Sequence, residues 1–153
     1  MTPLAFALLL LLLLPPTPEA IWHWPTRGDH LILRDFRAPS TPWGPGHRGL
    51  DLAASDSSVL APTSGQVSFS GVVATRGVVT LRTPSGDLVS FEPVEPLVEE
   101  GDLVSAGDEI ALLQPGHCEE LCLHLGLRVE GEYRSARREL GVLQRSVLLP
   151  LAG

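Results

Sequence analysis

The sequence contains no lysine: all 11 of its basic residues are arginines. A segment at 101–110 resembles the hairpin of small carrier domains, but those domains attach their group to a lysine, so that class is excluded in its usual form. The 18 acidic residues give a net charge of −7, which argues against nucleic-acid binding because phosphate contacts need a basic face. Arginine in place of lysine, with abundant Ala, Leu, Gly and Pro, is typical of a GC-rich, actinobacterial-looking genome.

Cysteine is scarce, since only Cys118 and Cys122 are present. Two cysteines staple one loop and cannot make a disulfide-framework fold, so the chain must bury a real hydrophobic core. Outside the cytosol such a close pair predicts a disulfide. In a reducing compartment the alternative is a compact metal cluster with the neighbouring His117 and His124.

One long apolar run is present, from Leu4 to Leu14, followed by three prolines and Ala20. It is too short to cross a bilayer, which takes about 20 residues, and it matches the apolar region of a signal peptide. We therefore predict a signal peptide over residues 1–20 and export to the cell envelope or medium, with an uncleaved anchor as the alternative. Residues 21–153 fit one domain, expected to be monomeric and without a transmembrane span.

Helical signals are scarce, and Pro and Gly recur every few residues between segments of period-2 alternation. Such segments predict a mostly β fold, a sandwich or a closed sheet. Two similar stretches, 56–67 and 101–110, predict a sheet that folds over on itself. One helix of a turn or two is predicted over Ser135–Leu143. The predicted strands are Leu31–Phe36, Leu50–Ala53, Ser58–Leu60, Gly65–Val73, Gly77–Thr83, Asp87–Glu92, Glu109–Gln114, Leu121–Val129 and Glu132–Arg134.

The first chemical signal is His47-x-x-x-Asp51 in a segment where Pro45, Gly46 and Gly49 disfavour a helix. On an extended strand the two Cα atoms would lie about 13 Å apart, at ~3.3 Å per residue. Zinc ligand atoms must lie about 2.0–2.2 Å from the metal, so the chain has to bend between the two residues.

The second signal is a strand that begins near Leu121. Alternation places Cys122 and His124 on one face and the intervening leucines on the other. Two histidines and an aspartate from distant segments make a three-ligand set with an open fourth position, as in catalytic zinc sites.

The order of these segments resembles the lysostaphin-type peptidoglycan endopeptidases. The resemblance rests on His47-x-x-x-Asp51, Val59-x-Ala61-Pro62-x-x-Gly65-x-Val67, Gly101-Asp102-x-Val104-x-x-Gly107 and Leu123-His124-x-Gly126-x-Arg128. It implies twisted antiparallel sheets that form a folded-over β domain with a groove, a duplicated hybrid motif. It also implies a zinc ion held by His47, Asp51 and His124, which activates water to hydrolyse peptidoglycan cross-link peptides.

Two catalytic histidines of that family are missing here. Cys122 stands at one of these positions, and no histidine occurs between His47 and His117 to supply the other. Glu92 is a candidate general base in their place. The family motif gives His117 no ligand role, so we predict that it is a turn residue.

The remaining candidates are substrate contacts. Arg48 and Arg128 are predicted either to bind acidic parts of a cell-wall peptide or to form surface ion pairs. Trp22, Trp24 and Trp43 are expected to pack the N-terminal arm, with substrate binding as the alternative for Trp43. Two functions stay open: an active zinc endopeptidase in cell-wall remodelling, or a degenerate homologue that binds peptidoglycan or regulates a partner cell-wall hydrolase.

Overall fold

The computed structural model describes residues 21–41 and 43–142, and within them it contains strands and no helix. Every strand pairing is antiparallel, which confirms the mostly β prediction. The strands are β1 (Ile32–Arg34), β2 (Gly49–Ala53), β3 (Ser58–Leu60), β4 (Gly65–Val73), β5 (Arg76–Arg82), β6 (Leu88–Glu92), β7 (Val94–Pro96), β8 (Leu103–Val104), β9 (Glu109–Leu113), β10 (Cys122–Val129) and β11 (Glu132–Arg134).

These strands form two sheets. The larger one has eight strands in the order β1-β2-β10-β6-β5-β4-β8, with β11 paired to β10. The smaller one has three strands in the order β3-β9-β7. The central strands β2, β10 and β6 come from three distant parts of the chain, so the middle of the large sheet depends on long-range pairing.

In both sheets, a strand of one similar sequence stretch pairs with a strand of the other. β3 and β4 belong to the first stretch, yet β3 pairs with β9 and β4 pairs with β8, both from the second. The connecting turns repeat this relation: Ala61 exchanges two backbone hydrogen bonds with residues 107–108, and Val67 does so with residues 101–102. The predicted sheet that folds over on itself is therefore present, as two interlocked strand pairs.

The core lies on one face of the large sheet and draws on both sheets. In β10 the alternate residues Leu123, Leu125 and Leu127 are almost fully buried, whereas His124 projects from the opposite face. Leu50 and Leu52 do the same in β2, as their alternation predicted. The small sheet contributes Val59, Val94, Ile110, Ala111 and Leu113 to the same apolar cluster.

The predicted helix over Ser135–Leu143 is wrong for its described part. Residues 136–141 form turns that end with a hydrogen bond from the Val142 amide to the Arg137 carbonyl. Gly141 has φ 71°, the left-handed conformation with which a helical turn stops. Strands β7 and β8, which are only three and two residues long, were not predicted from the sequence.

The predicted signal peptide, residues 1–20, lies outside the described residues. Among the residues that are described, no helix has the length and apolar character needed to cross a membrane.

Candidate metal centre

The register of the large sheet aligns three candidate residues across neighbouring strands. His124 in β10 lies directly opposite Asp51 in β2 on one side and opposite Glu92 in β6 on the other. Directly opposed residues of antiparallel strands project from the same face. The three side chains therefore share the face of the sheet that points away from the apolar core.

His47 reaches this face from the segment before β2. Its backbone forms an isolated bridge with Arg37, and its Nε2 lies 3.0 Å from Asp51 Oδ1. The Asp35 backbone carbonyl, at 2.7 Å from His47 Nδ1, can only accept a hydrogen bond. His47 therefore donates from Nδ1, which leaves Nε2 as the ligand atom in the neutral ring. The bend that the sequence required between His47 and Asp51 is present.

His117 also belongs to the cluster, contrary to the prediction of a turn residue without a role. It lies in the irregular segment before β10, and its Nε2 is 2.8 Å from Asp51 Oδ1. Its ring meets that of His124 edge to face, with centroids 5.1 Å apart. One sequence signal pointed to His117: it precedes Cys118, and the predicted Cys118–Cys122 bond places Cys118 at the start of β10.

The cluster has more nitrogen atoms around one oxygen than a hydrogen-bonded carboxylate can accept. His47 Nε2, His117 Nε2 and His124 Nδ1 all lie 2.8–3.0 Å from Asp51 Oδ1. One carboxylate oxygen offers about two lone-pair sites, fewer than the three nitrogen atoms around it. A ring nitrogen that does not donate to this oxygen faces it as an acceptor, and two facing acceptors repel unless a cation lies between them.

A metal ion fits this donor set. The ligand atoms of His47, Asp51, His117 and His124 lie within 4.8 Å of one another. Two ligands of a tetrahedral zinc ion stand roughly 3.3 Å apart, close to the observed nitrogen–oxygen distances. The structure thus brings His47, Asp51 and His124 together with His117, and the role of the first three as metal ligands stays a prediction.

The electrostatics of Asp51 favour the ionised carboxylate that a metal requires. Burial opposes its ionisation, since the residue is only 3% exposed. Hydrogen bonds from His124 and His117, with the charges of His117 and His47, outweigh burial and hold the pKa of Asp51 well below its usual range. A buried carboxylate surrounded by imidazoles is the arrangement found where an ion is bound.

Cys118 and Cys122 form the predicted disulfide. Cys122 is the first residue of β10 and lies two positions before His124, so the two share a face as predicted. Cys122 is almost fully buried, and its sulfur is bonded to Cys118 instead of facing Asp51. With both cysteines in this bond, neither offers a free thiol to a metal cluster in this structure.

The remaining predicted site residues each contact a partner outside the cluster. Glu92 pairs with Arg76 at 3.6 Å. Arg48 and Arg128 both stack on the Tyr133 ring, at 5.9 Å and 5.5 Å from its centroid. Arg128 and Tyr133 are opposed in β10 and β11, on the same face as His124. Tyr133 was not among the residues predicted from the sequence.

The tryptophans divide into two groups. Trp22 and Trp24 are partly buried and pack against the core, as expected, and Trp24 stacks on His30. The expectation that Trp43 packs the N-terminal arm is wrong, because its side chain is 95% exposed. A substrate contact at Trp43 stays a prediction.

Fold and site together define a class, an antiparallel β protein with a His/Asp/His cluster that can hold a metal ion. The chain belongs to peptidase family M23, whose family model matches residues 45–136. The resemblance to lysostaphin-type peptidases is confirmed. Uncharacterized proteins of Mycobacterium tuberculosis (Rv2891) and Mycobacterium bovis (Mb2915) are 44% identical over 107 residues. Those matches cover 67% of this chain and 43% of each relative, so the chain spans less than half of their length.

Solved structures show the same fold. The catalytic domain of the antimicrobial peptidase lysostaphin from Staphylococcus simulans is 18% identical, with a TM-score of 0.62 over 73% of this chain and 92% of that domain. A zinc-containing peptidase from Vibrio cholerae is 22% identical, with a TM-score of 0.57 over 74% of this chain and 38% of the other. Csd3 from Helicobacter pylori is 19% identical, with a TM-score of 0.64 over 83% and 36%. At these identities the similarity concerns the fold.

Proposed function

We propose that this protein is an exported zinc metalloendopeptidase that hydrolyses cross-link peptides of peptidoglycan. One observation carries the proposal. In a chain of peptidase family M23, His47 Nε2 and His124 Nδ1 lie 3.0 Å and 2.8 Å from the same carboxylate oxygen, Asp51 Oδ1. Imidazole and carboxylate ligands suit zinc, and three protein ligands leave a fourth position for a reactant.

The chemistry divides between the ion and the protein. Bound zinc would lower the pKa of a water molecule and polarise the scissile carbonyl. His47 would bind through Nε2, because its Nδ1 donates to the Asp35 carbonyl. His124 would bind through Nδ1, the atom that faces Asp51. Both rings are thereby oriented before the ion arrives, which favours binding.

Glu92 is the proposed general base. It lies opposite His124 on the exposed face of the sheet, so its carboxylate and the cluster face the same side. Arg76 Nη1 lies 3.6 Å from Glu92 Oε1 and pairs with this carboxylate. An ionised carboxylate within reach of the attacking water accepts its proton and later passes it to the leaving amine.

The proposed substrate contacts are Arg48, Arg128 and Trp43. The two guanidinium groups stack on Tyr133, and Arg128 shares the strand face of His124, so their positive charge suits the free carboxylates of a cell-wall peptide that binds along this face. The nearly fully exposed Trp43 offers an apolar surface for the peptide or for a sugar. Export by the predicted signal peptide would bring the domain to this substrate.

The decisive experiment uses the oxidised, zinc-loaded protein and purified peptidoglycan, with release of new amino groups as the readout. We expect release that stops on addition of a chelator and returns with zinc. Glu92→Gln should lower the rate by about 10²–10⁴, the usual contribution of a general base, while zinc content stays unchanged. Glu95→Gln is the matched control, because Glu95 lies outside the cluster on β7, the next strand along the chain, which belongs to the small sheet. Absence of release from folded, zinc-loaded protein would overturn the proposed activity.

A second function is favoured by the absence of two catalytic histidines of the family. Cys122, bonded to Cys118, stands at one of these positions, and the sequence has no histidine between His47 and His117 to supply the other. A protein that keeps the fold and the ion without cutting would bind peptidoglycan or regulate a partner cell-wall hydrolase. Co-sedimentation with peptidoglycan in the absence of amino-group release would identify that function.

A further inference from the structure

His117 is the member of the cluster that neither the sequence motif nor the strands account for. His47, Asp51 and His124 are positioned by β2, β10 and the bridge before them. His117 comes from an irregular segment, yet its Nε2 approaches Asp51 Oδ1 as closely as His124 does, at 2.8 Å. A side chain carried on a loop reaches this distance only when the loop itself is held in place.

The Cys118–Cys122 disulfide holds that loop. Cys118 follows His117 directly, and Cys122 is the first residue of β10. The bond ties the residue after His117 to the strand that carries His124. Cys122 also shares the face of His124, at the position where a histidine is missing. Cys122 therefore stands where the family has a histidine, and its bond to Cys118 holds the loop that places His117 in the site.

His117 is also the most accessible histidine of the cluster. Its side chain is 18% exposed, compared with 6% for His47 and 13% for His124. His117 Nε2 lies 2.8 Å from Asp51 Oδ1, a distance at which the ring nitrogen donates to a carboxylate oxygen. Once a cation occupies the lone pairs of Asp51, this N–H is available to an anionic oxygen at the open side of the site.

We propose that His117 donates a hydrogen bond from Nε2 to the oxyanion that forms at the fourth position of the site, and that the Cys118–Cys122 disulfide holds it there. This role rests on the proposed function, because an oxyanion forms only where a peptide is cleaved. His117 thereby replaces the histidine that Cys122 displaced, from five residues earlier in the chain. Removal of one oxyanion donor typically lowers kcat by about 10²–10³.

The test uses cobalt(II) in place of zinc and inorganic phosphate as a tetrahedral anion, so that it does not depend on turnover. The visible absorption of cobalt reports both metal binding and the arrival of phosphate at the ion. The variants are His117→Ala, His117→Gln, Cys118→Ser with Cys122→Ala, and His124→Ala. His23→Ala is the matched control, because His23 is exposed and lies outside the cluster.

We expect His117→Ala to keep one cobalt ion per chain with an affinity within about threefold of the unmodified protein, and to bind phosphate at least about tenfold more weakly. His117→Gln should recover part of the phosphate affinity, since its amide also donates. The double cysteine variant should weaken phosphate binding in the same direction. His23→Ala should change neither property, and His124→Ala should lose cobalt.

Three outcomes would overturn the assignment. Equal phosphate affinity in His117→Ala and the unmodified protein would show that His117 does not reach the anion. Loss of cobalt by His117→Ala, to the extent seen with His124→Ala, would make His117 a ligand instead. Absence of any phosphate effect on the unmodified cobalt protein would also contradict it. Failure of the proposed function has a different signature, phosphate binding that depends on His117 in a zinc-loaded protein that releases no amino groups.

Discussion

Gly49 determines how closely the His124 ring approaches Asp51. It is the first residue of β2 and lies opposite Gly126 of β10. A Cβ atom built at Gly49 would stand 2.6 Å from His124 Nε2 and would collide with the Leu125 carbonyl oxygen. The ring of His124 therefore lies over the space that a side chain at residue 49 would occupy. A glycine between His47 and Asp51 is needed for the site as well as for the bend.

We predict that Gly49→Ala lowers the free energy of unfolding by about 1–3 kcal/mol, the usual cost of overpacking, and also weakens zinc binding. The methyl group meets backbone as well as a ligand ring, so the β2–β10 pairing has to shift. Gly126→Ala is the matched control, because a Cβ there meets no atom closer than 3.8 Å. Urea unfolding and zinc titration measure both effects. Equal results for the two variants would contradict this account of the site.

At the scale of elements, the disulfide loop connects the site to the start of β10. The cysteines are four residues apart in sequence, so the bond closes a very short loop. Closing a short loop removes little conformational entropy from the unfolded chain. This disulfide therefore adds less to the free energy of unfolding than a long-range one would. Its main consequence lies in the position of His117.

We predict that Cys118→Ser with Cys122→Ala lowers the free energy of unfolding of the metal-free protein by about 2 kcal/mol, from the loop-closure relation for about five residues. Urea unfolding of the variant and of the oxidised protein measures the difference. Reduction of the unmodified protein is an independent control, since the chain has no other cysteine. A loss far larger than this would mean that β10 itself depends on the disulfide.

At the scale of the whole molecule, the cluster joins segments that are far apart in the chain. His47 and Asp51 lie before the interlocked strands β3, β4, β8 and β9, and His117 and His124 lie after them. An ion held by His47, Asp51 and His124 would link β2 and the segment before it to β10. Because the unfolded chain cannot hold these side chains together, metal binding should stabilise the native state.

We predict that zinc at about 100 times its dissociation constant raises the free energy of unfolding by roughly 2.7 kcal/mol, the linkage expected for one site. Urea unfolding with zinc and with a chelator measures the difference. Asp51→Asn should respond to zinc much less, because the neutral amide is a poor ligand. An equal response by both proteins would indicate that zinc binds somewhere else.

The sequence by itself determined the strand faces and the motif residues. Period-2 alternation places Leu50 and Leu52 in the core, with Asp51 on the other face, because side-chain direction in a strand depends only on local geometry. The family motif likewise selected His124 from among the five histidines. Three predicted strands, Ser58–Leu60, Gly65–Val73 and Glu132–Arg134, have the boundaries that the structure shows.

The tertiary structure alone decided which side chains meet. Glu92 faces the cluster because β6 pairs with β10 in one register, and a shift of one residue would turn its side chain to the other face. His117 reaches Asp51 across 66 residues of sequence through a loop without periodicity, so no local pattern could place it. The exposure of Trp43 was equally unpredictable, since it depends on which segments cover the arm. Local rules fix the direction of a side chain, and long-range pairing fixes its neighbours.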